Sequence, residues 1–317
     1  MKVSVCVIAR NAEKTLEQCL NSIFSQSIKP NEIIVVNDAS IDSTKQIAEK
    51  FDVQLIDLKK NVGTGKARSI AAISASNEII AFTDSDCIVD IGWLKNLIEP
   101  FKHEQVGIVH GTTFTDKDDS LFFHYNKAMS EGIMQTSNAA FRKSCLQKIN
   151  FFDENFSLIR EDTDAMLRIQ SLGFETVFDE KAKVFHPAKQ REFSHIVKHQ
   201  KRYENDALYY KKHPEFFQKQ ELSQKFSPNS QIFRAWISML AVALVFGLLF
   251  LNKMFSFYAF SAFYFASMLF GVKLAGKETN NTSSKNLLFL IFFNPLIFLS
   301  SAFYLFKGMI KYRKLII

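Results

Sequence analysis

Ile79-Ile80-Ala81-Phe82-Thr83-Asp84-Ser85-Asp86 is an apolar run that ends in two carboxylates one residue apart. A run this short reads as a buried strand, and open α/β sheets bind their ligands at the carboxyl ends of such strands. Two Asp side chains so close repel each other unless they are hydrogen-bonded, hydrated or bridged by a cation. Hard oxygen donors suit Mg2+ or Mn2+, which couple carboxylates to phosphates. The stretch predicts an α/β sheet with a divalent cation and a diphosphate-bearing ligand at its rim.

The flanking sequence alternates strand and helix patterns. Val3 to Ile8, Ile33 to Asn37, Val53 to Leu58, Ile79 to Thr83 and Val106 to Val109 read as strands. Glu13 to Phe24, Ser43 to Phe51, Lys66 to Ala75 and Gly92 to Phe101 read as helices between them. This order predicts a mostly parallel sheet with helices on both faces.

Other loops add candidate residues. Asp38 ends the second strand, placed to accept hydrogen bonds from a ligand; a turn carboxylate is the plainer reading, although Asp42 and Ser43 fit a helix cap better. Gly63-Thr64-Gly65-Lys66-Ala67-Arg68 opens a helix, where backbone N–H groups favour anions. Arg68 there is within reach of a diphosphate, and a Gly turn with solvated Lys66 and Arg68 fits equally. In Glu161 to Gly173, the helical phase places Asp162 with Ala165, Met166, Ile169 and Leu172, facing inward as a general base would. The same phase turns Asp164 and Arg168 outward as an i,i+4 pair. His186 follows a short strand pattern and is either a metal or diphosphate ligand or a satisfied loop histidine.

Taken in order, these motifs resemble the family 2 glycosyltransferases of GT-A fold over roughly residues 2 to 210. The elements that carry the resemblance begin with Val3-Ser4-Val5-Cys6-Val7-Ile8-Ala9-Arg10-Asn11, Asn37-Asp38-Ala39-Ser40-Ile41-Asp42 and the Gly63 to Arg68 turn. They continue with Asp84-Ser85-Asp86, Gly92-Trp93-Leu94, Ser137 to Lys143, Phe152-Asp153-Glu154 and Glu161-Asp162-x-Asp164. The resemblance implies a nucleotide-diphosphate-sugar donor, a divalent cation and an inverting single displacement. It implies that Ala9, Asp38 and Asp84 bind the donor, that Asp86 holds the cation and that Asp162 is the base; Asn11 and Arg68 stand beside them as donor-binding candidates. Ala9 stands where the family more often has Thr or Pro, and Cys87 replaces a frequent acidic residue, removing one metal ligand. Lys198-His199-Gln200-Lys201-Arg202-Tyr203 lacks the Q-x-x-R-W pattern of processive polysaccharide synthases, so addition of one or a few sugars is expected. A positioned base suits a hydroxyl acceptor, on a lipid-linked or cell-surface glycan, because a phosphate acceptor is already anionic. A polyprenyl-phosphate sugar synthase is the alternative within the family. An inactive membrane-anchored nucleotide-sugar binding protein is the alternative of another class, and the intact carboxylates oppose it. A nucleotidyltransferase is disfavoured because Ala9-Arg10-Asn11-Ala12 has no glycine.

Composition divides the chain near residue 225 into a catalytic part (1–225) and an apolar part (226–317). Ile232 to Leu251, Met254 to Val272 and Leu287 to Phe306 each approach the roughly twenty residues a helix needs to cross a bilayer. A multi-pass protein of the cell membrane with a cytoplasmic catalytic part is expected. With three full spans, Lys307, Lys311, Arg313 and Lys314 end outside, against the positive-inside tendency, so the number of complete crossings stays open. Net charge is +7, from 39 basic and 32 acidic residues. The basic residues Lys198, Lys201, Arg202, Lys211, Lys212, Lys219 and Lys225 suit membrane lipids, at about 1 kcal/mol each, or a solvated helix face. No nucleic-acid motif accompanies them. Cys6, Cys19, Cys87 and Cys145 show no C-x-x-C spacing and read as buried, reduced thiols.

Overall fold

Strict alternation along the first strand sets the two faces of the sheet. The computed structural model describes residues 1–116, 123–124, 134–156, 159–190, 200–216, 261–262, 264–265 and 284–313. In chain order the first elements are β1 (Val3–Ala9), α1 (Leu16–Phe24), β2 (Glu32–Asn37), α2 (Thr44–Ala48), β3 (Gln54–Asp57) and α3 (Thr64–Ser74). Then follow β4 (Ile79–Asp84), β5 (Ile88–Val89), α4 (Trp93–Ile98), β6 (Val106–Phe114), β7 (Phe123–His124), β8 (Asn138–Arg142), α5 (Lys143–Lys148), α6 (Glu161–Ser171) and β9 (Glu175–Phe185). Val3, Val5 and Val7 of β1 face α1 and α4, joining Leu16, Leu20, Trp93 and Leu97 in one core. Cys6 faces the other way, into a core built with Ala67 and Ala71 of α3 and Ala165 and Ile169 of α6. Small side chains on α3 bring that helix close to the sheet, which matters for Arg68 below.

The chain divides into two compact units, Met1–Asp118 with Tyr125–Ala188, and Asp119–His124 with Lys189–Ile317. The first holds an eight-stranded sheet in the order β3-β2-β1-β4-β8-β6-β9-β5. The expected parallel half is present, with β2 on β3, β1 on β2 and β1 on β4. The sheet is mostly parallel as expected, since β6 also pairs parallel with β9 and only β8 and β5 run against the other six strands. β8 runs antiparallel between β4 and β6, and β5 runs antiparallel to β9, so the sheet is mixed. Asn138 to Arg142 is too short a run to announce its direction. At Gly111, where the β6–β9 register shifts, an added Cβ would collide with the Ala182 carbonyl, so the bulge requires glycine.

In the second unit, β7 pairs antiparallel with β10 (Lys189–Gln190). There α7 (Glu204–Lys212) lies against α8 (Ser284–Tyr312), with the buried Glu204 carboxylate accepting from Lys307 Nζ and Lys311 Nζ at 3.0 Å each. The compact units therefore part at Ala188, and residues after it group with the C-terminal helix. Of the expected membrane segments, 232–251 lies outside the described residues, as does 254–272 apart from 261–262 and 264–265. The third, 287–306, falls in α8, whose side chains are described at Ile297 and from Leu299 onward. Among the described residues, no helix is long and apolar enough to cross a membrane.

Candidate active site

The carboxylates at the end of β4 meet a histidine because of strand pairing. Cys87 N–H donates to the Asp84 carbonyl at 3.0 Å, turning the chain straight after β4. β5 then pairs with β9, Ile88 opposite Phe185, which sets the residues before β5 alongside those after β9. His186 is anchored there by its N–H on the Phe114 carbonyl at 2.9 Å. Its Nε2 lies 3.5 Å from Asp86 Oδ1, while Nδ1 is 3.3 Å from the Pro187 carbonyl. If Nδ1 carries the proton, Nε2 is left as an acceptor or ligand. One ligand atom from each of Asp84, Asp86, Cys87 and His186 lies within 4.8 Å of the others. Such a set fits a divalent cation, and Asp86 and His186 are part of it as expected metal ligands. Cys87 was set aside in the sequence as a lost acidic ligand, yet its buried Sγ belongs to the same group. Burial first, then the Asp84 and Asp86 carboxylates, push the Cys87 thiol well above its usual range.

Arg68 ties this cluster to α6. It is 5% exposed, with Nη2 3.1 Å from Asp84 Oδ1 and Nη1 2.6 Å from Glu161 Oε1. The arginine is thus neither solvated nor free: it is held between two carboxylates. Burial, then the adjacent Asp162 carboxylate, push the Glu161 carboxyl up to about 7, with Arg68 pulling the other way. Glu161 was not singled out as a site residue in the sequence. Its signal was the pairing of an acidic first turn with an arginine that a small-residue helix carries into the core.

Asp162 is half-buried beside this pair, and its Oδ1 accepts from the Thr163 N–H at 2.7 Å. Its charge is felt by both Glu161 and Arg68, so it stands beside that pair at the start of α6. The predicted outward pair is corrected. Asp164 is fully buried, its Oδ2 2.7 Å from Arg168 Nε, and Arg168 also donates to the Ile149 and Phe151 carbonyls. Leu172, expected inside, is 49% exposed. A phase argument that sends charge outward fails where a part-buried arginine supplies the partner.

Asp38 is 3% exposed and accepts from Asn61 Nδ2 at 2.5 Å, Val62 N–H at 2.7 Å and Gly63 N–H at 3.2 Å. It clamps the turn whose Gly63, at φ +86, leads into α3. Ala9 is buried at the end of β1 and its carbonyl takes the Asp38 N–H at 2.9 Å. Asn11 is exposed at φ +49, its Oδ1 accepting from Ile41 N–H and its N–H donating to Ser40 Oγ. Ala9, Asn11 and Asp38 thus form one linked set of loops at the carboxyl ends of β1 and β2.

GlyA, a glycosyltransferase of Streptococcus pneumoniae serotype 4, is 30% identical over 129 residues, 39% of this chain, and the match spans 18% of GlyA. The crystal structure of S. aureus TarS 1-349 in complex with UDP-GlcNAc matches with a TM-score of 0.51 at 18% identity, over 99% of this chain and 93% of that one. The mannosyltransferase PcManGT from Pyrobaculum calidifontis, in complex with GDP-Man and Mn2+, matches with a TM-score of 0.53 at 16% identity, over 98% and 87%. At such identities these structures establish the shared GT-A-like fold. The profile of glycosyl transferase family 2 matches residues 4–167, from β1 into α6 and so across most of the rim just described, and the chain belongs to that family.

Proposed function

We propose that the chain transfers a sugar from a nucleoside-diphosphate donor to a hydroxyl of a lipid-linked or cell-surface glycan, by a single inverting displacement. The observation that carries this reading is the meeting of Asp84, Asp86 and His186 at one rim, with Arg68 joining it to the α6 helix start where Asp162 stands. A divalent cation, Mg2+ or Mn2+, held by Asp86 with His186 and Asp84, would neutralise charge on the departing diphosphate. Asp162 accepts the proton of the attacking hydroxyl, and the Thr163 N–H on its Oδ1 orients the carboxylate for that task. Arg68 fixes Asp84, and the Asp38 clamp shapes the loops that receive nucleoside. The TarS and PcManGT complexes hold UDP-GlcNAc and GDP-Man respectively, which supports a nucleotide-sugar donor without choosing between bases.

The apolar sequence at 232–251 and 254–272 supports attachment to the cell membrane in more than one pass, with the catalytic part on the cytoplasmic side. An acceptor presented at the bilayer follows from that placement. Incubating membranes bearing the full chain with a panel of radiolabelled sugar nucleotides, with and without EDTA, tests the whole reading. Label extracted with lipid or glycan, and lost on chelation, is the expected result. Donor binding that survives EDTA and yields no transfer would overturn it.

A further inference from the structure

We propose that the Cys87 thiol is a fourth ligand of the rim site toward soft cations, so that Zn2+ or Cd2+ closes a site that Mg2+ or Mn2+ leaves open. The inference deepens the donor reading and rests on it for the site's purpose. Its basis is the donor set: two carboxylate oxygens, one imidazole nitrogen and one sulfur, all within 4.8 Å of one another. Four ligands around one tetrahedral ion at bond lengths of about 2.0–2.3 Å lie roughly 3.3–3.8 Å apart, so the group must draw in slightly to close on an ion. In the tautomer whose Nδ1–H points to the Pro187 carbonyl, the His186 Nε2 faces Asp86 as a ligating imidazole does.

The two classes of cation use this set differently. Mg2+ and Mn2+ favour oxygen, and Mg2+ keeps several waters, so they bind through Asp86 and leave positions for diphosphate oxygens. Zn2+ and Cd2+ favour sulfur and nitrogen, and a tetrahedral ion with four protein ligands has no position left for a diphosphate. Cys87 therefore sets which cation the site serves. Its neighbour Cys19 is also buried, but its Sγ donates to the Asp84 carbonyl at 3.4 Å and does not belong to the four-residue group.

Cadmium titration of the full chain reads the sulfur directly through its charge-transfer absorption. The wild type should show that band, Cys19→Ser should keep it, and Cys87→Ser and Cys87→Ala should lose it. In the Cys87 variants Zn2+ should bind at least about tenfold more weakly, since loss of even an outer-shell partner costs about 10–100-fold. Zn2+ should also displace UDP from the wild type held at constant Mn2+, and should displace it less from Cys87→Ser. Absence of the band in the wild type, or its survival in a folded Cys87→Ser protein, overturns the assignment. Should the Cys87 variants not fold, the wild type still decides: Mn2+-dependent UDP binding that is lost as the cadmium band develops supports the proposal, and UDP binding that survives the fully developed band sinks it. Mn2+-dependent UDP binding is followed in parallel, since its absence would overturn the donor reading whatever the cadmium band shows.

Discussion

Arg68 and Glu161 are 93 positions apart in sequence and meet at 2.6 Å, with neither more than 6% exposed. The other end of the guanidinium holds Asp84, so one buried cation serves two carboxylates from β4 and α6. The arrangement makes α3 the link between the cation-binding rim and the helix that carries Asp162.

Removing that cation should be costly. Arg68→Met leaves Glu161 and Asp84 without their shared partner, and breaking a buried pair from one side costs about 3–5 kcal/mol. Urea unfolding should show a loss of that size. Adding Glu161→Gln to Arg68→Met should recover part of it, since the orphaned charge is then gone. Equal stabilities for Arg68→Met and the wild type would mean the pair is not formed in solution.

Asp162→Asn separates binding from chemistry. The substitution keeps shape and removes the basic oxygen, so sugar transfer should fall about 10²–10⁴-fold. Calorimetric titration with UDP should show donor affinity unchanged, because the nucleoside loops and the Asp86 cluster are untouched. Transfer at the wild-type rate would move the base elsewhere, and Glu161 would be the next residue to test.

What could be read from sequence followed from local pattern. The strands through β4 were legible because apolar alternation and length are local properties, and Asp84 and Asp86 were legible because they end such a strand. The Arg68–Glu161 contact was not, since its two ends belong to different helices packed by tertiary structure. The α6 phase misled for a related reason. Asp164 lies inside because Arg168 accompanies it there, and hydrophobic periodicity has no place for a buried ion pair. β8 was hidden by its shortness, and its antiparallel course follows from position in the sheet rather than composition. Cys87 was read by comparison with acidic residues at that place, which passed over the chemistry of sulfur itself.

Asp38 should matter for stability as well as for the donor. Its carboxylate satisfies two part-buried backbone N–H groups and the amide of the exposed Asn61. Asp38→Ala removes their partner, at about 1 kcal/mol for each backbone bond lost where water reaches the part-buried donors. A clear drop in melting temperature is expected, together with weaker UDP binding as the Gly63 turn loosens. Asp38→Asn retains one acceptor and should fall between the two. A variant as stable as the wild type would show that the turn holds without its clamp.

Glu161 should leave a mark on the pH dependence of stability. Its carboxyl titrates near 7 in the folded chain against an ordinary value of 4.5, raised by burial and by Asp162. Between those values the folded state binds more protons than the unfolded state, so stability falls as pH rises. Below about 4.5 both states are protonated, and above about 7 both are ionised, so this contribution is flat outside the window. Glu161→Gln cannot titrate, and its unfolding free energy should decline less from pH 5 to pH 7 than that of the wild type. The two curves should diverge across that window and run parallel above it. Parallel curves throughout would show that Arg68 keeps Glu161 ionised at its ordinary value, against the balance of burial and charge described for it.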